Sequence, residues 1–281
     1  MPELPEVETT RRGIEPWVVG ATLTDFKVHN PSLRWPVELP AQLRGARINS
    51  LQRRAKYLLL DTTAGTLILH LGMSGSLRWC QYSEERLLHD HVEFEFAERV
   101  LRFNDPRRFG CVLFHAEPET DNHPLLRHLG VEPLGNEFNG QYLFERSRRR
   151  KIAVKNFIMD GKVVVGVGNI YAAESLFLAG IRPAVAAGRV TRAGYEQLSQ
   201  AIRTVLSDAI TQGGTTLRDF VGSDGRPGYF KQRLYVYGRE REPCRICGGD
   251  LKLTTLGQRS TVFCPRCQTF SGFRPLAARQ A

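Results

Sequence analysis

The chain has 281 residues, a formal charge of +10 and a pI near 9.6, enough length for one large domain or two moderate ones with real cores. Such a balance points to a polyanionic partner. No run approaches membrane-spanning length, and the acidic amino terminus lacks the apolar stretch of a signal peptide, so the expectation is a cytoplasmic protein whose cysteines stay reduced unless they hold metal.

The protein begins MPELPEVETT. Pro5 suits the first turn of a helix, where its missing N–H would be unpaired in any case. Glu3, Glu6 and Glu8 then sit near the positive end of the helix dipole, and Val7, Arg11 and Ile14 continue at helical spacing. These features predict a helix from Pro5 to Glu15. They account for the glutamates after Pro5 and leave MPE unexplained.

From Thr22 to about Phe114 the chain reads as strands. YLLLDTTAGTLILHL is two apolar runs around a Thr-Gly turn, and HVEFEF alternates with period two. VLRF and CVLF follow, separated by NDPRRFG. Together they predict a two-sheet β-sandwich with the amino-terminal helix packed against it. After HPLLRHLGVEPLGNEFNG the pattern turns helical: NIYAAESLFLAGI and AGYEQLSQAIRTVLSDAITQGG carry apolar residues three and four apart, with Gly180 and Gly213 as stops.

Four of the six cysteines crowd into the last forty residues as CRIC (Cys244, Cys247) and CPRC (Cys264, Cys267). The spacing C-x2-C-x16-C-x2-C fits a four-thiolate zinc site, each turn presenting two thiolates and a hairpin closing the tetrahedron. Disulfides are the alternative, disfavoured in a reducing compartment. Four thiolates leave no open position for water, so one structural zinc per chain is expected, in a tail too short to fold on its own core. Cys80 and Cys111 read as ordinary half-buried residues.

Two basic runs mark where a polyanion would lie, RSRRRK (Arg146 to Lys151) and QRRAK (Gln52 to Lys56). Either can also be a plain solvated face. VVGVGNIYAAES opens a helix with a turn that can bring backbone N–H groups and Asn169 against a phosphate. Its G-x-G alone is weak evidence, since no dinucleotide-binding unit surrounds it.

PELPEVET, QRRAKYLLL, HLGMSGSL, DPRRFG, VVGVGNIYA, QGGTTLRDF with DGRPGYF, and the four-cysteine hairpin together resemble the formamidopyrimidine-DNA glycosylases, bacterial enzymes that remove 8-oxoguanine and ring-opened purines. The resemblance runs in order from Pro2 to about Gln268. It implies an α+β fold in three parts: an amino-terminal β-sandwich with flanking helices (1–134), a helical helix-two-turn-helix domain (135–228), and a zinc-finger hairpin with its tail (229–281). It also implies double-stranded DNA in the cleft, a monomer, and a bacterial, nucleoid-associated setting.

The resemblance further implies that Met1 is lost and that the secondary amine of Pro2 attacks C1′ of the damaged nucleotide. An α-amino group with a pKa near 8 is roughly one-tenth free base at neutral pH, against about one part in several thousand for a lysine. A secondary amine yields an iminium, the electron sink for later β- and δ-elimination. Glu3 would donate a proton to the opening deoxyribose, with Glu6 orienting the pair. By the same resemblance Lys56 supports β-elimination and Arg259 serves δ-elimination. An arginine is a poor proton donor, so Arg259 reads physically as a phosphate clamp. His89, Arg107, Arg150, Asn169 and Lys155 are implied as DNA contacts, and Met73, Arg107 and Phe109 as a wedge that fills the hole left by the everted base. Glu174 is a weaker carry-over of the same kind, with support for the first turns of its own helix as the plainer reading, and His91 reads as packed or paired within its strand. The loop VGSDGRPGYF would cover the lesion.

Two other readings stand beside this one. An endonuclease VIII-like enzyme would direct the same chemistry at oxidised pyrimidines. A non-catalytic zinc-ribbon protein would bind DNA or RNA and have no use for a free proline terminus.

Overall fold

The computed structural model describes residues 2–214 and 234–269. Met1, the segment TTLRDF and the loop VGSDGRPGYF expected over the lesion lie outside the described residues. The described chain forms two compact units, residues 2–128 with 209–214, and residues 129–208 with 234–269.

The first unit opens with α1 (Leu4–Val18), which starts one residue before the predicted helix and ends three after it. Pro16 forfeits one backbone bond there, yet Ile14 and Val18 are fully buried, and that packing carries the last turn past the proline. Nine strands follow: β1 (Thr22–Leu23), β2 (Asp25–Val28), β3 (Ala46–Arg54), β4 (Tyr57–Thr62), β5 (Gly65–His70), β6 (Ser76–Gln81), β7 (Asp90–Glu95), β8 (Arg99–Asn104) and β9 (Cys111–His115). They form two antiparallel sheets, ordered β1-β3-β4-β5-β9 and β2-β7-β8-β6. The expected two-sheet sandwich is what folds.

Val7, Ile14 and Val18 of α1 share one core with Leu51, Leu58, Leu60, Leu67 and Leu69 of one sheet and Val92, Phe94, Leu101 and Phe103 of the other. The β4–β5 turn is Thr63–Ala64, and Gly65 already belongs to β5. The alternation in HVEFEF sends Val92 and Phe94 inward. Its polar partners are not left to water, however. His91 Nε2 pairs with the Asp105 carbonyl at 2.8 Å, and the Glu93 carboxylate meets Arg102 Nε and His29 Nε2, each at 2.7 Å. Cys80 and Cys111 are buried, at 2% and 0% exposure, rather than half-buried, and enclosure drives the Cys111 thiol up to about 12.

The second unit contains α2 (Gly140–Ser147), α3 (Val154–Ile158), α4 (Asn169–Leu178), α5 (Arg192–Thr211, whose last residues belong to the first unit) and the hairpin β10 (Lys252–Leu256) with β11 (Arg259–Phe263). α4 ends as predicted at Gly180, at φ +69°, with Gly180 N–H donating to Phe177 and Ile181 N–H to Leu176. α5 ends in the same way, Gly213 donating to Ile210 and Gly214 to Ala209. Helix and hairpin share a small core in which Ala173 and Phe177 pack with Val236, Leu251, Val262 and the cysteines.

Candidate active site and metal centre

The head of α1 is closed. Pro2 is buried and Glu3 is 3% exposed, and Glu6, with no exposed surface, accepts the Glu3 backbone N–H through Oε2 at 2.8 Å. A Cβ on Gly214 would stand 3.1 Å from Glu6 Oε1, so the end of the QGG segment closes on this carboxylate with no room to spare. Lys56, half-buried, follows Ala55 in the two-residue turn between β3 and β4, where Arg54 pairs with Tyr57.

The two loops expected to form the wedge lie together for a topological reason. β5 and β9 are neighbours in one sheet, with His70 opposite Cys111; β6 and β8 are neighbours in the other, with Ser76 opposite Asn104. Residues 71–75 therefore cross between sheets directly beside residues 105–110. Asp105, fully buried, fastens them: its Oδ1 accepts from Ser74 Oγ at 2.7 Å and its Oδ2 from Gly110 N–H at 2.7 Å. The Arg107 N–H reaches Ser74 Oγ at 3.3 Å. At Gly72, φ +62°, a Cβ would fall 2.4 Å from Gly110 N, so only glycine permits this approach. On this base Met73 is half-buried, Arg107 is exposed, and Phe109 is 46% exposed with the Arg107 guanidinium 5.1 Å over its ring. Ordinary core is excluded for Phe109.

His70 stands at the foot of the Met73 loop. Its Nδ1 accepts the Gly72 N–H at 2.9 Å, its ring packs 4.8 Å from Tyr57, and burial, helped by the Lys56 and Arg34 charges, lowers its pKa to about 4. Sequence reasoning passed over this histidine, as it did Asp105 and Ser74. Their only signal is membership of HLGMSG and DPRRFG. His89 and Arg108, with His29, Asn30 and Arg86, line a cavity of about 420 Å³ on the same sandwich.

In the second unit the hairpin tip is tied to helices. Gly257 and Gln258 both take positive φ, at 54° and 61°, giving a two-residue turn whose twist suits a hairpin. A Cβ on Gly257 would lie 2.4 Å from Asn156 Nδ2, so the tip sits directly on α3. Asn169, the first residue of α4, donates from Nδ2 to the Ser260 carbonyl at 3.2 Å. Arg259, exposed, projects from this anchored turn. Of the basic run, Arg146 and Arg148 direct their guanidinium groups at carbonyls of Lys162, Phe144 and Val190, while Arg149, Arg150 and Lys151 are exposed.

Two expectations need correction. Lys155 does not offer a surface for DNA: it has no exposed area, and its Nζ donates to Asn169 Oδ1 at 2.6 Å, Thr261 Oγ1 at 2.7 Å and the Ser260 carbonyl at 3.2 Å. An amine so enclosed acts as a brace, because exposing it would strand those acceptors. Glu174 does not serve its own helix. Its carboxylate, 2% exposed, accepts the N–H groups of Tyr235, Val236 and Tyr237 at 2.7, 2.9 and 2.8 Å, fixing the chain that enters the zinc hairpin. Burial raises its pKa against the pull of those three donors.

Cys244, Cys247, Cys264 and Cys267 bring their sulfurs within 4.8 Å of one another, with Cys244–Cys267 at 3.8 Å and Cys247–Cys264 at 3.5 Å. A tetrahedron with zinc–sulfur bonds of about 2.3 Å has edges of about 3.8 Å, so the four thiols fit zinc. The backbone prepares the knuckles: Gly248 donates to the Cys244 carbonyl, and Cys264 N–H reaches Gln268 Oε1 at 2.8 Å.

Three family models match the chain in succession: the formamidopyrimidine-DNA glycosylase N-terminal domain over residues 1–112, the H2TH domain over 129–221, and the zinc finger found in FPG and IleRS over 241–269. The chain belongs to the formamidopyrimidine-DNA glycosylase family. It is 55% identical to the formamidopyrimidine-DNA glycosylase of Hahella chejuensis over 271 residues, covering 95% of this chain and 100% of that one. Among solved structures it resembles a Lactococcus lactis FPG variant in complex with Fapy-dG-containing DNA (TM-score 0.89, 32% identity, 95% and 100% coverage). It also resembles wild-type Lactococcus lactis FPG with an oxidised-pyrimidine-containing DNA (TM-score 0.88, 32% identity, 95% and 100% coverage). The α+β fold and the four-cysteine zinc finger that the family implies are both present. No helix among the described residues is long and apolar enough to cross a membrane.

Proposed function

We propose that the chain is a base-excision repair glycosylase and apurinic-site lyase that removes oxidised purines from double-stranded DNA, acting as a monomer in the bacterial cytoplasm on the nucleoid. The observation that carries this is the closed head of α1: a proline at position 2, buried beside a Glu3 that is 3% exposed and tethered by Glu6. Loss of Met1 would free the Pro2 nitrogen next to the buried Glu3, an arrangement with a chemical use that a binding module lacks.

In this reading the Pro2 nitrogen attacks C1′ and the bond to the damaged base breaks. Glu3 passes a proton to the sugar ring oxygen as the ring opens, leaving an iminium between Pro2 and C1′. Loss of a C2′ proton then expels the 3′ phosphate, with Lys56 near the departing charge, and a second elimination expels the 5′ phosphate, clamped by Arg259. Asn169, Arg150 and His89 hold further phosphates; Lys155 acts indirectly, by aiming Asn169 and the Arg259 turn. Met73, Arg107 and Phe109 fill the space of the everted nucleotide. The zinc bound by the four cysteines supplies no chemistry and holds the hairpin shape. The chain works as the three parts 1–134, 135–228 and 229–281.

The oxidised-pyrimidine reading keeps one point of support, since the Lactococcus lactis relative has been crystallised with such a DNA. Borohydride trapping on duplexes carrying 8-oxoguanine, a formamidopyrimidine or an oxidised pyrimidine, with mass spectrometry of the adduct, tests both questions. The cross-link is expected on Pro2, with the purine lesions processed fastest. A cross-link on Lys56 would overturn the nucleophile, and a preference for the pyrimidine would overturn the substrate class.

A further inference from the structure

Arg53, the penultimate residue of β3, joins the two elements that carry the amino-terminal unit's reagents. Its side chain is 11% exposed. Nε donates to Glu8 Oε2 of α1 at 3.1 Å, and Nη1 donates to the carbonyl of Ala55 at 2.9 Å. That carbonyl belongs to the peptide that joins Ala55 to Lys56, and a peptide is planar, so fixing its oxygen fixes the plane from which Lys56 departs. The constraint matters here because Ala55 lies at φ +56°, a conformation an L residue with a Cβ leaves readily unless its surroundings hold it.

The other end of the bridge is equally determined. Glu8 also receives Arg12 Nε at 2.9 Å and Arg11 Nη2 at 3.1 Å, and Arg11 continues to Glu15 at 2.6 Å. Burial works against its charge, but the three guanidinium groups hold the carboxyl below its usual range, so the anion persists at neutral pH. Glu8 lies on the helix whose head carries Pro2 and Glu3. One planar guanidinium therefore spans the nucleophile's helix and the lysine's turn, and donors on separate nitrogens of one rigid plane, aimed at two different acceptors, are what arginine offers and lysine does not.

We infer that Arg53 is a positioning residue for the elimination steps: by bridging Glu8 and the Ala55 carbonyl it holds Lys56 in fixed register with Pro2 and Glu3. This rests on the reading that Lys56 supports elimination, so the test separates the two. The zinc-loaded full chain is assayed on abasic-site DNA under single turnover, scoring borohydride trapping and strand scission separately. Arg53→Met is expected to slow scission about tenfold while trapping changes by no more than about twofold. Arg53→Lys, which cannot span both acceptors, should not restore the rate. Lys56→Ala should slow scission alike, and the double variant should be no slower than Lys56→Ala alone, because a mispositioned lysine and an absent one are the same loss.

Additive losses, or equal losses of trapping and scission in Arg53→Met, would overturn the inference. Hydrogen exchange over residues 55–57 gives a second measurement that does not depend on the role of Lys56. Arg53→Met should accelerate it about tenfold without accelerating the rest of β3 and β4. If Lys56→Ala leaves scission untouched, the catalytic reading of Lys56 falls, and unchanged exchange in Arg53→Met would then overturn the positioning as well.

Discussion

His70 allows an acid-stability argument to be worked through. Its Nδ1 accepts the Gly72 N–H, so the folded protein holds the imidazole neutral, with its proton on Nε2. Burial, with the Lys56 and Arg34 charges, lowers its pKa from 6.5 to about 4. The unfolded chain takes up a proton below pH 6.5 and the folded chain does not until about pH 4. The stabilisation is therefore complete above pH 6.5 and is lost as pH falls from 6.5 to about 4. At about 1.4 kcal/mol per pH unit, that window is worth about 3 kcal/mol. His70→Asn keeps a carbonyl for Gly72 and does not titrate. Urea unfolding of both proteins across pH 4 to 7 should give curves that run together near pH 7 and diverge by about 3 kcal/mol as pH falls through the window, the histidine chain becoming the less stable. Carboxylates shared by both proteins cancel in the difference. A difference that stays flat between pH 4 and 6.5, or an imidazole whose NMR titration midpoint lies near 6.5, would refute the reasoning.

If the exposed guanidinium of Arg107, beside the wedge, reads the base left opposite the lesion, its fork suits the O2 and N3 acceptors of cytosine and meets the N6 donor of adenine badly. Arg107→Ala should then lower excision opposite cytosine and compress the cytosine-to-adenine ratio about ten- to a hundredfold, for a contact worth about 1–3 kcal/mol. Phe109→Ala should slow both substrates alike. If Arg108→Ala collapses the ratio and Arg107→Ala does not, the two arginines exchange roles. Removing zinc with a chelator, or replacing Cys264 with serine, should unravel the hairpin and weaken DNA binding together with activity; full binding after demonstrated zinc loss would place the hairpin outside the DNA grip. Lys155→Met removes the buried donor shared by Asn169 Oδ1, Thr261 Oγ1 and the Ser260 carbonyl and loosens the Arg259 turn, at a cost of about 2 kcal/mol. Hydrogen exchange should rise in β10 and β11 and not in the sandwich, and unchanged exchange there would show that the amine is not a brace.

What the sequence determined by itself was the set of elements and the chemistry they advertise. Period-two and helical spacing depend on neighbours along the chain, so the sandwich strands, α4, α5 and their glycine stops were readable without tertiary knowledge. The zinc site was readable for a similar reason, since two C-x2-C turns specify a metal almost independently of context. Pro2, Glu3 and the wedge residues came from motifs whose order along the chain carries information. The partners of those residues did not. HVEFEF told which side chains face the core, and only the fold placed Arg102 and His29 over Glu93. Asp105 fastens two loops because adjacent strands in both sheets end side by side, a fact of topology that no local pattern contains. Lys155 and Glu174 looked like a surface cation and a helix-supporting anion. Tertiary structure made one a buried brace and the other an acceptor for three amides, because burial and hydrogen-bond partners are set by chain segments sixty to a hundred residues away.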